Sequence, residues 1–369
     1  MNFDEEFKDL KKFIINQVNK GAKVSIPENY DDKSGFYIPE EIEIGGNKIY
    51  EGDKLEIIDI NTQAQESGFS YFIDGIERKK KIIITNKGGP IPVIYGYVSA
   101  VIMQRTNGIL RSTDLFIENL STYLPYKPVN KTGEEPNYYF DFEDINKFKR
   151  KYVNTGVIDV RGKNHDYPRY PVQIEQSAHS KIQTERGNSE KELVKKWNEK
   201  KDTKGWLFVD GRLEPVSKYV SYNSNIVGVI KSIRRYYFKP DEQLKIYTLK
   251  KRQRTSIFIP IDPEGNEENV FSWYLRLHDN NLNGNEDFGI IRVEISRKDS
   301  ESVSKEEVIK KVNLISNWIL LETNPVAFPA SRWDRMIYPI LYCEKYLDSR
   351  APSKVRMANI AKIKNIKNN

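Results

Sequence analysis

Residues 70–105 read SYFIDGIERKKKIIITNKGGPIPVIYGYVSAVIMQR. Three runs in this stretch, 70–74, 80–85 and 93–103, are rich in β-branched and aromatic residues, the composition of a pleated, half-buried surface. The cluster at 86–90 carries Asn, two Gly and Pro and predicts a turn. Three such runs in succession predict an antiparallel meander.

Downstream, residues 120–172 are rich in Tyr, Asn, Asp and Pro and show little periodicity, which places a loop region or insertion at about 106–180. Helical spacing returns over 173–200. Short apolar runs at 205–210 (GWLFVD), 225–233, 256–261, 270–277 and 289–295 predict further strands. Residues 304–321 predict a helix, with Ser304 and Glu307 as a capping box and Val308, Val312, Ile315 and Ile319 as one apolar stripe. Upstream, Phe3, Phe7, Leu10, Phe13, Ile14 and Val18 form one face of a helix over 3–18, and the Gly-, Pro- and Asp-punctuated stretch 21–66 reads as a small β-rich subdomain. The expected organisation is an α/β domain on one mixed sheet over 68–350, with an N-terminal helix and small β-rich insertion over 1–67 and a basic tail over 351–369 that reads as a solvated terminus first and a phosphate-touching tail second.

Composition narrows the function. Aromatic residues make up 12% and hydrophobic residues 38% of the 369, a share that argues for a folded core and against disorder. The net charge of +7 favours polyanionic partners, nucleic acid first. The one cysteine, Cys343, excludes an internal disulfide framework and a Cys-based zinc site. Neither a signal peptide nor an apolar membrane span is expected, so the sequence reads as cytoplasmic, with no membrane partner. His165, His179 and His278 have no metal-binding spacing, and no P-loop, GxGxxG or GxSxG is present.

Two positions repeat one device. Asp74 in SYFIDG and Asp210 in GWLFVDG each end an apolar strand and precede a glycine. A carboxylate on a rigid strand end suits hard cations, which take oxygen ligands. If the two strands lie side by side, both carboxylates reach one rim, where two metal ions would clamp the attacking and leaving oxygens of a phosphodiester. A third carboxylate is expected on the helix between them. Glu190 shares the face of Leu193, Val194 and Trp197 and is the choice, with Glu192 and Glu185 as alternatives. Lys231 ends an apolar run where a lone cation reaches a phosphate. Arg252 and Arg254 form a basic cluster entering a strand, and Arg292 alternates with Glu294 as either an active-site face or an internal ion pair.

The order FIDG, helical glutamate, FVDGRL, VGVIKS, RTSIF, RVEI and YPILYCEKY resembles the NurA family of nucleases. The resemblance covers roughly 68–105 and 180–350 and rests on the ordered set, no single motif being specific. It implies an RNase H-like, PIWI-like core, Mn²⁺ or Mg²⁺ as cofactor, and metal binding by Asp74, Asp210 and Glu190. Read from their own positions, Lys231, Arg252, Arg254 and Arg292 are the candidate DNA contacts, with the Arg252 and Arg254 cluster alternatively a solvated guard of an edge strand. The resemblance also implies a homodimer acting with a HerA-type hexameric ATPase in DNA end processing; a divergent member turned to phage defence is a further expectation that the resemblance itself does not carry. The chain departs from the family pattern in places. Ile76 and Arg212 stand where the family has serine after Asp-Gly, and Glu344 stands where it has a C-terminal histidine, with Asp334 as another carboxylate nearby. A glutamate still ligates a hard cation but is no imidazolium acid. The expected function is a metal-dependent deoxyribonuclease, and the alternative is an inactive RNase H-like module that binds DNA or bridges an ATPase.

Overall fold

The computed structural model describes residues 3–25, 43–61, 64–86, 89–127, 139–141, 145, 151–156, 170–200, 204–233, 235–279, 286–323, 333–353 and 357. Most of the tail at 351–369 and most of 128–169 lie outside these residues.

Helices among the described residues are α1 (Phe3–Asn19), α2 (Pro171–Glu199), α3 (Pro240–Tyr247), α4 (Lys305–Glu322) and α5 (Tyr338–Arg350). The first strands are β1 (Lys23–Ser25), β2 (Glu43–Ile44), β3 (Gly46–Ile49), β4 (Ile57–Asp59), β5 (Phe69–Asn86), β6 (Gly89–Thr106), β7 (Ile109–Leu124) and β8 (Tyr152–Asn154). They are followed by β9 (Trp206–Asp210), β10 (Ile226–Ile230), β11 (Arg235–Tyr236), β12 (Gln253–Thr255), β13 (Phe258–Ile261), β14 (Val270–Arg276) and β15 (Ile290–Ser296). The main sheet runs β3-β13-β14-β15-β10-β9-β5-β6-β7-β8. Its centre is an antiparallel meander, β5-β6-β7, continued by β9 and β10 parallel to β5, and then by β15 and β14 antiparallel. This is the mixed α/β sheet flanked by helices that the sequence implies.

The meander differs from the expected one in its members. The runs at 70–74 and 80–85 belong to one continuous strand, β5, and the third member is β7, inside the stretch read as an insertion. The break expected between those two runs, at 75–79, does not occur, and charges there and just beyond it find partners. Arg78 reaches Asp348 at 3.0 Å, Lys79 reaches Glu77 at 2.8 Å and Lys81 reaches Glu175 at 2.6 Å. Upstream, β3 and β4 pair with β13 and β12, so the stretch before residue 67 extends the edge of the same sheet.

Strand alternation divides the core into two layers. Phe72, Met103, Phe208, Val229, Trp273 and Val293 point to one face and pack under α4 and α5. Tyr71, Ile73, Ile102, Leu207 and Val209 point to the other and pack under Leu193, Val194 and Trp197 of α2. Helix α4 starts at the predicted Ser304–Glu307 capping box. No helix among the described residues is long and apolar enough to cross a membrane.

Candidate active site

The register sets the site. Ile73 pairs with Val209 across the parallel β5–β9 ladder, which leaves Asp74 and Asp210 level on neighbouring strands about 4.8 Å apart. Asp210 in turn stands beside Val229 of β10, and Lys231 follows two residues on, on the same face. Lys231 Nζ donates to Asp210 Oδ2 at 2.9 Å. Gly211 turns the chain sharply with φ +149°, a backbone open to glycine and rarely to other residues. A Cβ on the neighbouring Gly228 would stand 2.7 Å from the Gly211 carbonyl, so that glycine is needed for the turn to lie flat on β10.

Two helices complete the rim from opposite faces. Helix α5 packs on β5, its buried Cys343 lying against the Phe72 carbonyl at 3.8 Å, and presents Glu344 on the face of Asp74. Helix α2 brings Glu190 over Gly75, where the missing Cβ leaves room for the glutamate side chain. Four carboxylates from four separate segments thus meet where β9 and β10 end beside β5; Asp74 itself lies within a continuous strand and not at the strand end expected of it, because β5 runs on to Asn86 paired with β6.

Their electrostatics follow from the crowding. Asp74 is 6% exposed. Burial, then repulsion from Asp210, Glu344 and Glu190, hold its carboxyl well above the usual range, with Lys231 pulling the other way. Burial pushes Glu190 up to about 7, against the pull of Arg186 and with repulsion from Asp210 and Glu77 adding to it. Glu344 is raised by desolvation and by Asp210 and lowered by Lys231, and its place on the exposed side of α5 keeps water within reach.

The donor set suits a hard cation: all oxygen, all carboxylate. Asp74 Oδ1 accepts from the Gly75 amide at 2.8 Å, while its buried Oδ2 has no partner among the described residues. A buried, unpaired carboxylate oxygen is costly unless something occupies it. Among the described residues no three acidic, histidine or cysteine side chains close into a ready-made metal cage. Lys231 on Asp210 and Arg186, 3.9 Å from Glu190, balance the charge instead.

The other sequence candidates lie elsewhere. Glu185 is engaged by Tyr123 and Lys151, and Glu192 is an exposed helix charge paired with Lys196 at 2.6 Å. Asp334 is buried, accepting from the Gly289 amide at 2.8 Å and from Arg335 at 3.1 Å. Arg254 is fully buried and bonded to Glu51 at 2.6 and 2.9 Å and to Asn313 at 2.7 Å, so it offers nothing to DNA. Arg292 is the internal alternative of its two readings. It pairs with Glu294 at 2.8 Å and stacks over Tyr237 at 4.8 Å. Arg252 is exposed, on the turn that faces β4. Of the four cations proposed for DNA, only Lys231 belongs to the carboxylate cluster.

Two residues at the site were not anticipated. Arg186 stands one helical turn before Glu190, a spacing that was available as a signal. Arg335 donates to the Lys231 carbonyl at 2.7 Å, the Asp287 carbonyl at 2.8 Å and Asp334, joining three segments far apart in sequence, and no local pattern announces it.

No protein-family model matches the chain, and no curated protein does. Among solved structures, the chain is similar over 98% of its length to the NurA nuclease from Sulfolobus solfataricus, of which it covers 95%, at a TM-score of 0.39 and 13% sequence identity.

Proposed function

We propose that this chain is a metal-dependent deoxyribonuclease hydrolysing phosphodiester bonds at DNA ends. The observation that carries the reading is the convergence of Asp74, Asp210, Glu190 and Glu344 where β9 and β10 end beside β5, with Asp74 Oδ2 buried and unpaired among the described residues. Asp74, Asp210 and Glu190 would hold Mn²⁺ or Mg²⁺, with Glu344 where the family resemblance places a histidine. Bound there, divalent cations supply a more acidic water and positive charge for the scissile phosphate.

The chain's own groups do the remaining work. Asp74 and Asp210 are fixed by neighbouring strands, so the distance between them is set by the ladder and not by loop motion. Lys231 orients Asp210 through its 2.9 Å bond and presents a cation toward a bound phosphate. Glu190, with a carboxyl pushed to about 7, can accept a proton from water near neutral pH when no cation holds it. The resemblance extends the proposal to a homodimer working in the cytoplasm with a HerA-type hexameric ATPase in end processing; a role in phage defence goes beyond it.

A second reading is a catalytically silent DNA-binding or ATPase-bridging module. It is favoured by the Lys231–Asp210 pair and by the absence of a closed three-ligand cage among the described residues. Digestion of linear and circular DNA with Mn²⁺, with and without a HerA-type ATPase, decides between them. Cleavage abolished by EDTA and by Asp210→Ala supports the nuclease. Binding without cleavage in every lane supports the silent module.

A further inference from the structure

We propose that Arg186 is a phosphate-binding residue of this site, gripping the DNA backbone from the α2 side while Lys231 faces it from the β10 side. The inference rests on the nuclease reading. Arg186 lies at the mouth of the carboxylate cluster with a side chain 40% exposed. A guanidinium has five N–H donors in a rigid fork. Arg186 makes one hydrogen bond, a long one of 3.3 Å from Nη1 to the Gly75 carbonyl. Its nearest carboxylate oxygens, Glu77 Oε2 at 3.8 Å and Glu190 Oε1 at 3.9 Å, stand beyond hydrogen-bond length. Its Nε is buried and has no hydrogen-bond partner among the described residues.

The contrast with other arginines of the chain is informative. Arg335 bonds through Nε, Nη1 and Nη2, and Arg235 bonds to Glu43 at 2.6 Å and Glu268 at 2.8 Å. If Arg186 served only to neutralise Glu190 or Glu77, it would be expected to close onto one of them in a bidentate pair, since both are within reach. It stays open instead, with its unused donors beside the place where a scissile phosphate would lie. A forked donor recognises two non-bridging phosphate oxygens at once, which an ammonium does not.

The test compares Arg186→Gln and Arg186→Lys with wild type on a fluorescein-labelled DNA strand. The readouts are binding as a function of salt, steady-state cleavage, Mn²⁺ titration by calorimetry and circular-dichroism melting. In R186Q the log–log salt slope should become less negative by about 0.7, one phosphate contact on a single strand. R186K should keep most of that slope while KM rises, because charge remains and the fork is lost. Mn²⁺ affinity should not weaken in either. A wild type that binds and cleaves DNA, with an R186Q variant of unchanged slope and KM, overturns this proposal and leaves the nuclease standing. Mn²⁺ binding that weakens in parallel with DNA binding also overturns it, since Arg186 would then act through the carboxylates. A wild type that neither binds nor cleaves DNA overturns both readings.

Discussion

Gly75 and Glu190 share one space: a Cβ built on Gly75 would stand 3.2 Å from both Cγ and Cδ of Glu190 and closer still to Oε1. Gly75 is not in the left-handed region, so alanine can adopt its backbone. The obstacle is the end of a flexible side chain, which can move aside. Gly75→Ala should therefore fold with stability within about 1 kcal/mol of wild type. Its displaced glutamate should lower DNA cleavage at least tenfold, since ångström-scale misplacement of a reacting group costs up to about a hundredfold. Denaturant melts paired with cleavage rates check this. Full activity in G75A would remove Glu190 from the site.

Burying carboxylates gives the metal-free protein a defined pH response. Glu190 holds its proton to about pH 7 in the folded chain, whereas an unfolded glutamate releases it near 4.5. Between those values the folded state binds more protons than the unfolded one, so stability falls as pH rises. The shift amounts to about 3 kcal/mol for this group, an upper figure given its partial exposure. Asp74 and Glu344, also raised, act in the same direction. His179 and His278, held below the usual histidine range by partial burial, oppose this trend, so the part played by Glu190 is read against Glu190→Gln: without metal the wild type should lose stability relative to that variant from pH 5 to pH 8. Mn²⁺ should recover the loss at pH 8, by about 2.7 kcal/mol at a hundredfold excess over Kd. A metal-free wild type that gains stability relative to Glu190→Gln from pH 5 to pH 8 would contradict the burial of this carboxylate.

The buried arginines should separate stability from DNA affinity. Arg254 is wholly enclosed and bonded to Glu51, so Arg254→Ala leaves a half-buried carboxylate unpaired and should cost about 3 kcal/mol. The salt dependence of DNA binding by the folded fraction should stay that of wild type, because Arg254 reaches no surface. Lys231→Ala should do the reverse, costing little stability and reducing the salt slope. Anisotropy titrations across ionic strength, alongside urea melts, distinguish the two. A flattened salt slope in R254A would return that residue to the DNA surface.

What was legible in the sequence follows from how local each signal is. Asp74 and Asp210 are marked by their own neighbours, an apolar strand before and a glycine after, and the ladder then places them side by side. Glu190 was legible through helical spacing to three buried residues of α2. Strand β5 was split in the sequence reading because 75–79 looks like a break, whereas the continuous ladder with β6 and distant partners such as Asp348 carry the strand through it. Strand β7 was missed because ILRSTDLFIENL leaves much of its first two-thirds exposed or half-buried, without the alternation that a core strand shows. The depth of Arg254 depends on Glu51, 203 residues away, and no window along the chain contains both.

Arg335 is the long-range element on which the site's geometry most depends. Its guanidinium holds the Lys231 carbonyl, the Asp287 carbonyl and side chain, and Asp334, tying the end of β10 to the turn that launches α5. Lys231 and Glu344 are thereby fixed relative to each other. Arg335→Ala should destabilise the fold by about 3 kcal/mol, as expected when one partner of a largely buried network is removed. At temperatures where the variant remains folded, cleavage should still be reduced, because Lys231 is no longer tethered. Arg335→Lys restores the charge with one donor group in place of the fork, so it should recover more of the stability than of the rate. Urea melts and single-turnover rates on the three proteins measure both terms. Stability and rate falling and recovering in strict proportion would reduce Arg335 to a structural strut.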